Sequence, residues 1–161
     1  MINFKFTEEN LEKINQEVKK YPLKKPAVMA ALFLGQKQNG YISHEVINEV
    51  ALILELTPEE VYGVVTFYTM YYQKPMGKHH IQVCTNVSCM LRGGYEIWDQ
   101  VKTKLGIDNL GVTEDKNFSL EEVECMGSCG TAPMIAVNED YYENLNSEKV
   151  AELLESLKNN N

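Results

Sequence analysis

The spacing of apolar residues changes abruptly near residue 76, and this change restricts the chain to folds that join a helical part to a sheet-containing part. Before Pro75, apolar side chains recur every three or four residues, as on one face of a helix. Between residues 80 and 83, apolar and polar residues alternate, which is the period of a strand. The pattern predicts an α+β chain with a helical domain at 1–76 and a second domain at 77–161.

Four amphipathic helices are predicted in the first domain. Their expected starting points are Thr7, the residue after Pro26, Ser43 and Thr57. Thr57 opens the sequence TPEE, in which a hydroxyl at N-cap, a proline at N1 and a glutamate at N3 form a capping box. Because glycine often ends a helix, the second helix is expected to stop before Gly35 or at Gly40.

The second domain is predicted to be a small α/β sandwich. Its expected elements are a strand at 79–84, a helix at about 93–105, a strand near 118–125, a hairpin at 135–142 and a helix from Ser147 to Leu157. Gly106 is expected to end the first of these helices, and Ser147 to cap the second. The residues 138–140, Asn-Glu-Asp, form the expected hairpin turn.

Length and charge exclude several classes of function. The chain has 161 residues, enough to bury a core without staples. Asp plus Glu number 23 against 15 for Lys plus Arg, which argues against a nucleic-acid or anionic-membrane surface. The longest apolar run, at 27–34, has eight residues, whereas a membrane span needs about 20. The first ten residues show neither a secretory signal nor a transit peptide, so we expect a reducing, cytoplasmic location in a bacterium.

Four cysteines form the pattern that carries chemistry. Cys84, Cys89, Cys125 and Cys129 are spaced C-x4-C, then 35 residues, then C-x3-C. Each pair follows a predicted strand, so the four thiols are expected on two neighbouring loops at one end of a sheet. Four thiolates without a histidine beside them suit a tetrahedral zinc ion or an iron–sulfur cluster. The wide, unequal spacing favours a [2Fe-2S] cluster, with each pair chelating one iron.

Alternative roles for the cysteines stay open. Structural zinc is the main rival, although zinc ribbons usually use C-x2-C knuckles. A thioredoxin-type redox pair would use C-x-x-C at a helix start, and neither spacing matches it. Disulfides fit poorly with a chain that shows no secretory signal. Four buried cysteines without any metal would require two close pairs to arise by chance.

Residues beside the cysteines are expected to tune and shield such a cluster. The flanking glycines, which would let backbone N–H groups approach sulfur, are Gly93, Gly94, Gly127 and Gly130. The acidic residues just before Cys125 are Glu121, Glu122 and Glu124. A carboxylate facing the cluster would oppose the electron that takes its charge from −2 to −3, so we expect a low reduction potential. Met90 and Met126 are placed to exclude water.

Two segments make the sequence closely similar to a known family. They are CTNVSCMLRGG at 84–94 and VECMGSCGTAPM at 123–134. The similarity extends upstream through NGYI at 39–42 and VYGVVTFYTMY at 61–71, and so covers nearly the whole chain. These segments resemble the NuoE family, the thioredoxin-like [2Fe-2S] subunit of respiratory complex I (NADH:quinone oxidoreductase). The resemblance implies a helical N-terminal bundle followed by a thioredoxin-like α/β [2Fe-2S] domain.

The resemblance also implies partners and a location. In the family, NADH and FMN bind a larger flavoprotein subunit of the NuoF type, and this subunit supplies a [2Fe-2S] cluster next to the flavin. Electrons then pass to a larger iron–sulfur subunit on the peripheral arm of a membrane-bound complex. The first domain is the expected docking surface, with core packing as the alternative role of its aromatic residues. Those residues include Phe67, Tyr68, Tyr71 and Tyr72.

The residues themselves indicate the same division of labour. The chain contains no G-x-G-x-x-G, no P-loop and no nucleophile–base pair, so hydride chemistry is expected elsewhere. A flavin must split the electron pair of NADH before a cluster can accept one electron. His44, His79 and His80 are expected at the surface rather than as ligands. Pro133 lies just before a predicted strand, where thioredoxin-like folds often carry a cis proline.

Two rival functions follow from these observations. Within the same class, the chain would be the equivalent [2Fe-2S] subunit of a cytoplasmic NAD-linked hydrogenase or formate dehydrogenase. The stretch TFYTMY at 66–71 favours complex I. In a different class, the chain would be a zinc-stabilised binding module without redox activity, and colour separates the two because zinc sites are colourless.

Overall fold

Four helices form the first part of the fold, as the apolar spacing predicts. In the computed structural model, which describes residues 4–159, they are α1 (Glu8–Val18), α2 (Val28–Asn39), α3 (His44–Leu54) and α4 (Pro58–Phe67). A 3₁₀ turn at Lys25–Ala27 leads into α2. All three predicted hydroxyl caps are present, and Thr57 and Glu60 form the complete capping box. Helix α2 continues through Gly35 and ends at Gly40, whose φ of 84° is left-handed.

The core of this part is mostly aliphatic, and it includes one of the predicted docking aromatics. Tyr71 is buried, and its hydroxyl donates to the Met29 carbonyl at 3.0 Å. Tyr71 therefore belongs to the core rather than to a surface. Phe67 is 77% exposed and Tyr68 is 38% exposed, so these two side chains remain accessible.

The contact between α2 and α3 depends on the missing side chain of Gly35. A Cβ at this position would lie 2.6 Å from Val46 Cγ1, which belongs to the buried core. We expect Gly35→Ala to lower the free energy of unfolding by about 2 kcal/mol because the core is overpacked. The matched control is Gly63→Ala in α4, where no atom of the described residues lies within 4 Å of the new Cβ. The free energy of unfolding of Gly63→Ala should rise by up to about 1 kcal/mol, because alanine has a higher helix propensity than glycine. Urea unfolding monitored by circular dichroism measures both changes, and an equal effect of the two would contradict this packing.

The second part is a five-stranded mixed sheet with three α-helices and a 3₁₀ turn at Cys129–Thr131. The elements are β1 (His79–Cys84), α5 (Val87–Met90), α6 (Gly94–Leu105), β2 (Gly111–Val112), β3 (Phe118–Val123), β4 (Ile135–Val137), β5 (Asp140–Tyr142) and α7 (Ser147–Asn159). The strand order is β2-β3-β1-β4-β5, and β1 and β3 run parallel at the centre. The α+β class predicted from the sequence is confirmed. Helices α6 and α7 bury Trp98, Val101 and Leu154 in one core with side chains of β1 and β3.

Several predicted details of this part were wrong. Local periodicity misses the four-residue helix α5 and the two-residue strand β2 because each is too short to show a period. Strand β3 ends at Val123, before Cys125. Helix α7 is capped by Asn146, whose side chain accepts from the Lys149 N–H at 2.9 Å, and Ser147 is its first residue. The hairpin turn is shorter than predicted because Asp140 already belongs to β5.

The contacts of the chain divide it into two compact units, one ending at Pro75 and one beginning at Met76. The roles assigned to the two predicted domains remain predictions, and their first three and last two residues lie outside the described residues. Between residues 4 and 159, no helix has the length and apolar character needed to cross a membrane.

Candidate metal centre

The parallel pairing of β1 and β3 brings the two cysteine segments to one edge of the sheet. Cys84 is the last residue of β1 and pairs in register with Val123, the last residue of β3. Cys125 follows β3 by two residues. Because parallel strands end at the same edge, segments 84–89 and 125–129 leave the sheet side by side. A register of six paired residues therefore juxtaposes two cysteine pairs that are far apart in the sequence.

The first pair of thiols is buried. Cys84 is 3% exposed and Cys89 is 2% exposed, and both pack with Ala132 and Met134. Cys89 lies on the short helix α5, whose N-cap Asn86 bonds the Val87 N–H at 2.8 Å. Burial, together with the hydrogen bond to Cys84, raises the pKa of Cys89 to about 11. Cys84 and Cys89 are here named the inner pair, and burial disfavours the thiolate form of Cys89.

The second pair, here named the outer pair, is exposed to solvent. The sulfur atoms of Cys125 and Cys129 lie 3.3 Å apart. The Gly127 N–H donates to the Cys125 sulfur at 3.4 Å, and Gly127 adopts a left-handed φ of 89° that favours glycine. This bond is the main reason why the pKa of Cys125 is lowered, while the bond between the two thiols raises the pKa of Cys129. Within the outer pair, Cys125 is therefore the more easily ionised thiol.

The glycines act in more ways than the sequence predicts. Gly127 supplies an N–H to sulfur, as expected. Gly94 is needed because of close backbone packing, since a Cβ there would lie 2.9 Å from the Cys89 carbonyl oxygen and 3.0 Å from that of Cys84. At Gly130, no atom of the described residues comes within 4 Å of such a Cβ. The first residue of α6 therefore packs directly against the backbone of the inner pair.

The three acidic residues before Cys125 have different partners. Glu122 accepts from the Thr85 hydroxyl at 2.8 Å, and Glu124 accepts from the Asn86 side chain, so both connect the two cysteine segments. Glu121 bonds Gln82 at 2.9 Å and His80 at 3.1 Å. Of the three, Glu124 acts electrostatically on Cys125, where it raises the pKa.

The histidines do not all lie at the surface. His44 is exposed and His79 is half-buried. The surface position expected for His80 is wrong, since this ring is 3% exposed. Its Nδ1 lies 2.8 Å from the Ser119 hydroxyl and its Nε2 lies 3.1 Å from Glu121. A polar pairing between β1 and β3 therefore holds His80 inside the protein.

The methionines also differ from each other in role. Met126 packs against the buried cluster of Cys84, Cys89, Ala132 and Met134 and is placed to exclude water. Met90 is 43% exposed, so it does not shield the cysteines from water as the sequence predicts. Met134, which the sequence did not mark as a site residue, is 1% exposed and packs against both cysteines of the inner pair. The peptide bond before Pro133 is cis.

Sequence patterns also miss the polar residues that hold the two cysteine segments in place. Arg92 Nη1 donates to the Ala132 carbonyl at 3.1 Å, which joins the segment after Cys89 to the segment after Cys129. The Tyr141 hydroxyl donates to the Met126 carbonyl at 3.1 Å. These residues lie at least 15 positions from their partners along the chain, and no local pattern marks them.

The donor set fits a sulfur-ligated centre with two halves. Its two pairs of thiols lie at one sheet edge, and the outer pair receives a backbone N–H at the Cys125 sulfur. Such N–H groups are a recognised feature of iron–sulfur sites. Across residues 4–159, the structure does not gather three or more His, Cys, Asp or Glu side chains into a ligand group for one metal ion. The four thiols are therefore arranged as two separate pairs.

The fold and this site define a thioredoxin-like iron–sulfur protein. The family model described as thioredoxin-like [2Fe-2S] ferredoxin matches residues 14–158. The chain belongs to this family.

Similar proteins include subunits named for NADH-quinone oxidoreductase and NADH dehydrogenase. The chain is 45% identical over 160 residues to the E-type subunit of the NADH-quinone oxidoreductase of Rickettsia bellii, covering 98% of this chain and 96% of that protein. It is 43% identical to "NADH dehydrogenase [ubiquinone] flavoprotein 2, mitochondrial" of Dictyostelium discoideum, covering 98% of this chain and 65% of that protein. A solved structure of an NAD⁺-reducing [NiFe]-hydrogenase matches with a TM-score of 0.73 at 19% identity, over 83% of this chain and 22% of the hydrogenase chain. The last similarity concerns the fold alone.

Proposed function

We propose that the chain binds one [2Fe-2S] cluster through Cys84, Cys89, Cys125 and Cys129 and transfers single electrons as a subunit of an NADH:quinone oxidoreductase. The observation that carries this proposal is the meeting of two thiol pairs at the shared end of β1 and β3, one pair buried and the other exposed. The family and the names of relatives that are 41–45% identical over nearly the whole chain support it.

Different residues of the chain would shield the cluster from water and leave it accessible to a partner. When bound, the cluster supplies a one-electron acceptor and donor. The inner pair, with Met126 and Met134, would hold one side of it away from water, and such an apolar shell influences the potential of the site. The outer pair would face the solvent side, where a partner can approach. Glu124 next to Cys125 would favour a low reduction potential, because each added electron increases the negative charge.

The partners follow from the one-electron chemistry. NADH delivers two electrons together, so a flavin must lie between NADH and this chain. We propose that FMN and NADH bind a NuoF-type flavoprotein subunit, and that a larger iron–sulfur subunit follows it. The accessible side chains of Phe67 and Tyr68 make the first unit a candidate docking surface. The place of the chain would be the peripheral arm of the complex, on the cytoplasmic side.

The hydrogenase alternative has weaker support. The hydrogenase chain is 19% identical, which reports a common fold, whereas the quinone oxidoreductase subunits match at more than twice that identity over the whole chain. Co-purification from the source cell would separate the two, since complex I brings membrane subunits and a hydrogenase brings a nickel-containing subunit.

Metal analysis and electron paramagnetic resonance (EPR) test the proposal directly. After anaerobic purification we expect about two irons and two acid-labile sulfides per chain, with no EPR signal before reduction and a rhombic signal after dithionite. The matched control is the same protein unfolded under anaerobic conditions, which should release both. Stoichiometric zinc with no reducible signal would overturn electron transfer and establish the zinc-stabilised module.

A further inference from the structure

The outer pair lies on a loop that a carboxylate holds from the end of β5. Glu143, one residue beyond β5, accepts from the Thr131 hydroxyl at 2.7 Å and also from the Ser128 hydroxyl. Ser128 is adjacent to Cys129 in the sequence, and Thr131 lies two residues beyond it. One side chain therefore holds the outer cysteine loop on both sides of Cys129.

Two further bonds join the same segments. The Tyr141 hydroxyl donates to the Met126 carbonyl at 3.1 Å, and the Asn144 N–H donates to the Thr131 carbonyl at 2.7 Å. Residues 141–144 thus run alongside residues 126–131 and bond them at three positions. An exposed loop with few buried side chains would otherwise sample many conformations.

Glu143 differs from these neighbours because it adds a fixed charge. The hydroxyls of Ser128 and Thr131 donate to its carboxylate and lower the pKa of Glu143, so the group is ionised at neutral pH. The anion is bonded to the side chain of Ser128, the residue that directly precedes Cys129 in the chain. Reduction adds one negative charge to a cluster at the four cysteines, and a nearby fixed anion opposes that step.

We propose that Glu143 is a positioning residue of the cluster site, which fixes the loop of the outer pair and makes the cluster harder to reduce. The inference rests on the proposed function, because it concerns the cluster that the four cysteines would bind. It assigns two separable effects to one side chain: hydrogen bonding to the loop and electrostatic repulsion of the added electron.

Two substitutions separate these effects in the full chain carrying its cluster. Glu143→Gln keeps an oxygen acceptor for the hydroxyls but removes the charge. We expect the equilibrium constant for reduction to rise about threefold, which is about 28 mV at 59 mV per tenfold change. Glu143→Ala removes the bonds as well, and we expect its cluster to lose iron to a chelator about fivefold faster than the wild-type cluster. Redox titration followed by EPR measures the first effect, and absorbance during chelation measures the second.

The matched control is Glu114→Gln, which removes an equal charge from the turn before β3, at the opposite end of that strand from Cys125. A six-residue strand is about 20 Å long. The reduction potential of the cluster in Glu114→Gln should therefore remain close to the wild-type value. Equal potentials in Glu143→Gln and Glu114→Gln would overturn the electrostatic role, and an unchanged iron-release rate in Glu143→Ala would overturn the positioning role. A wild-type chain without a reducible cluster would instead overturn the proposed function, before either variant is compared.

Discussion

Cys89→Ser is expected to leave the purified chain with almost no iron, against about two irons per chain in the wild type. Cys89 is 2% exposed and packs with Cys84, Ala132 and Met134, so burial keeps water from taking the place of its sulfur. A serine oxygen is a harder donor than thiolate, and burial opposes ionisation of its hydroxyl. Iron and sulfide analysis, with EPR after dithionite, measures the loss.

The control for this substitution lies on the same short helix. Val87 is 57% exposed, two residues before Cys89, and Val87→Ala removes side-chain volume without touching a thiol donor. We expect Val87→Ala to keep its full iron content and its EPR signal. Full iron content in Cys89→Ser would show that the buried thiol is not a ligand, and the assignment of the inner pair would then be wrong.

Gly94→Ala is expected to disrupt the site without altering any donor atom. The new Cβ would lie 2.9–3.0 Å from backbone atoms of Cys89 and Cys84, and backbone cannot move aside as a flexible side chain can. Either α6 shifts or the inner pair separates. Overpacking of this kind costs about 3 kcal/mol of stability, and separation of the two cysteines would lower the iron content below half of the wild-type value. Thermal unfolding and iron analysis of the same preparation report the two effects together.

Gly130→Ala is the matched control, because it introduces the same methyl group next to Cys129. No atom of the described residues lies within 4 Å of the new Cβ at that position. Its stability should stay within about 0.5 kcal/mol of wild type, as for ordinary surface substitutions, and its iron content should not change. Equal damage from both alanine variants would mean that the loop of the outer pair is packed as tightly as the inner pair, contrary to the structure.

The parts of the fold that local chemistry controls were predicted well. The capping residues Thr7, Ser43 and Thr57 bond N–H groups three positions away, so their roles are visible in a few consecutive letters. Strand β1 was predicted with its observed bounds because the alternation over residues 80–83 marks its central part. The family was also recognisable, because its cysteine segments at 84–94 and 123–134 are long and specific.

Other features depended on contacts that no short segment contains. The cap of α7 was assigned to Ser147 although Asn146 provides it, because two adjacent capping residues look equally suitable in sequence. His80 was placed at the surface because alternation marks it as polar. Its neighbours Ser119 and Glu121 lie about 40 residues away on β3 and provide the hydrogen bonds that permit its burial.

The sequence by itself determined the two-part α+β architecture, the helix starts, the central strand and the four cysteines as a candidate ligand set. Only the tertiary structure decided which cysteine pair is buried, why Gly94 must lack a side chain, and that Glu143 holds the outer loop. The physical reason is the distance along the chain over which each kind of interaction acts. Caps and periodicity act over a few bonds of one segment, whereas burial, close backbone approach and cross-strand hydrogen bonds arise when distant segments meet at the end of the sheet.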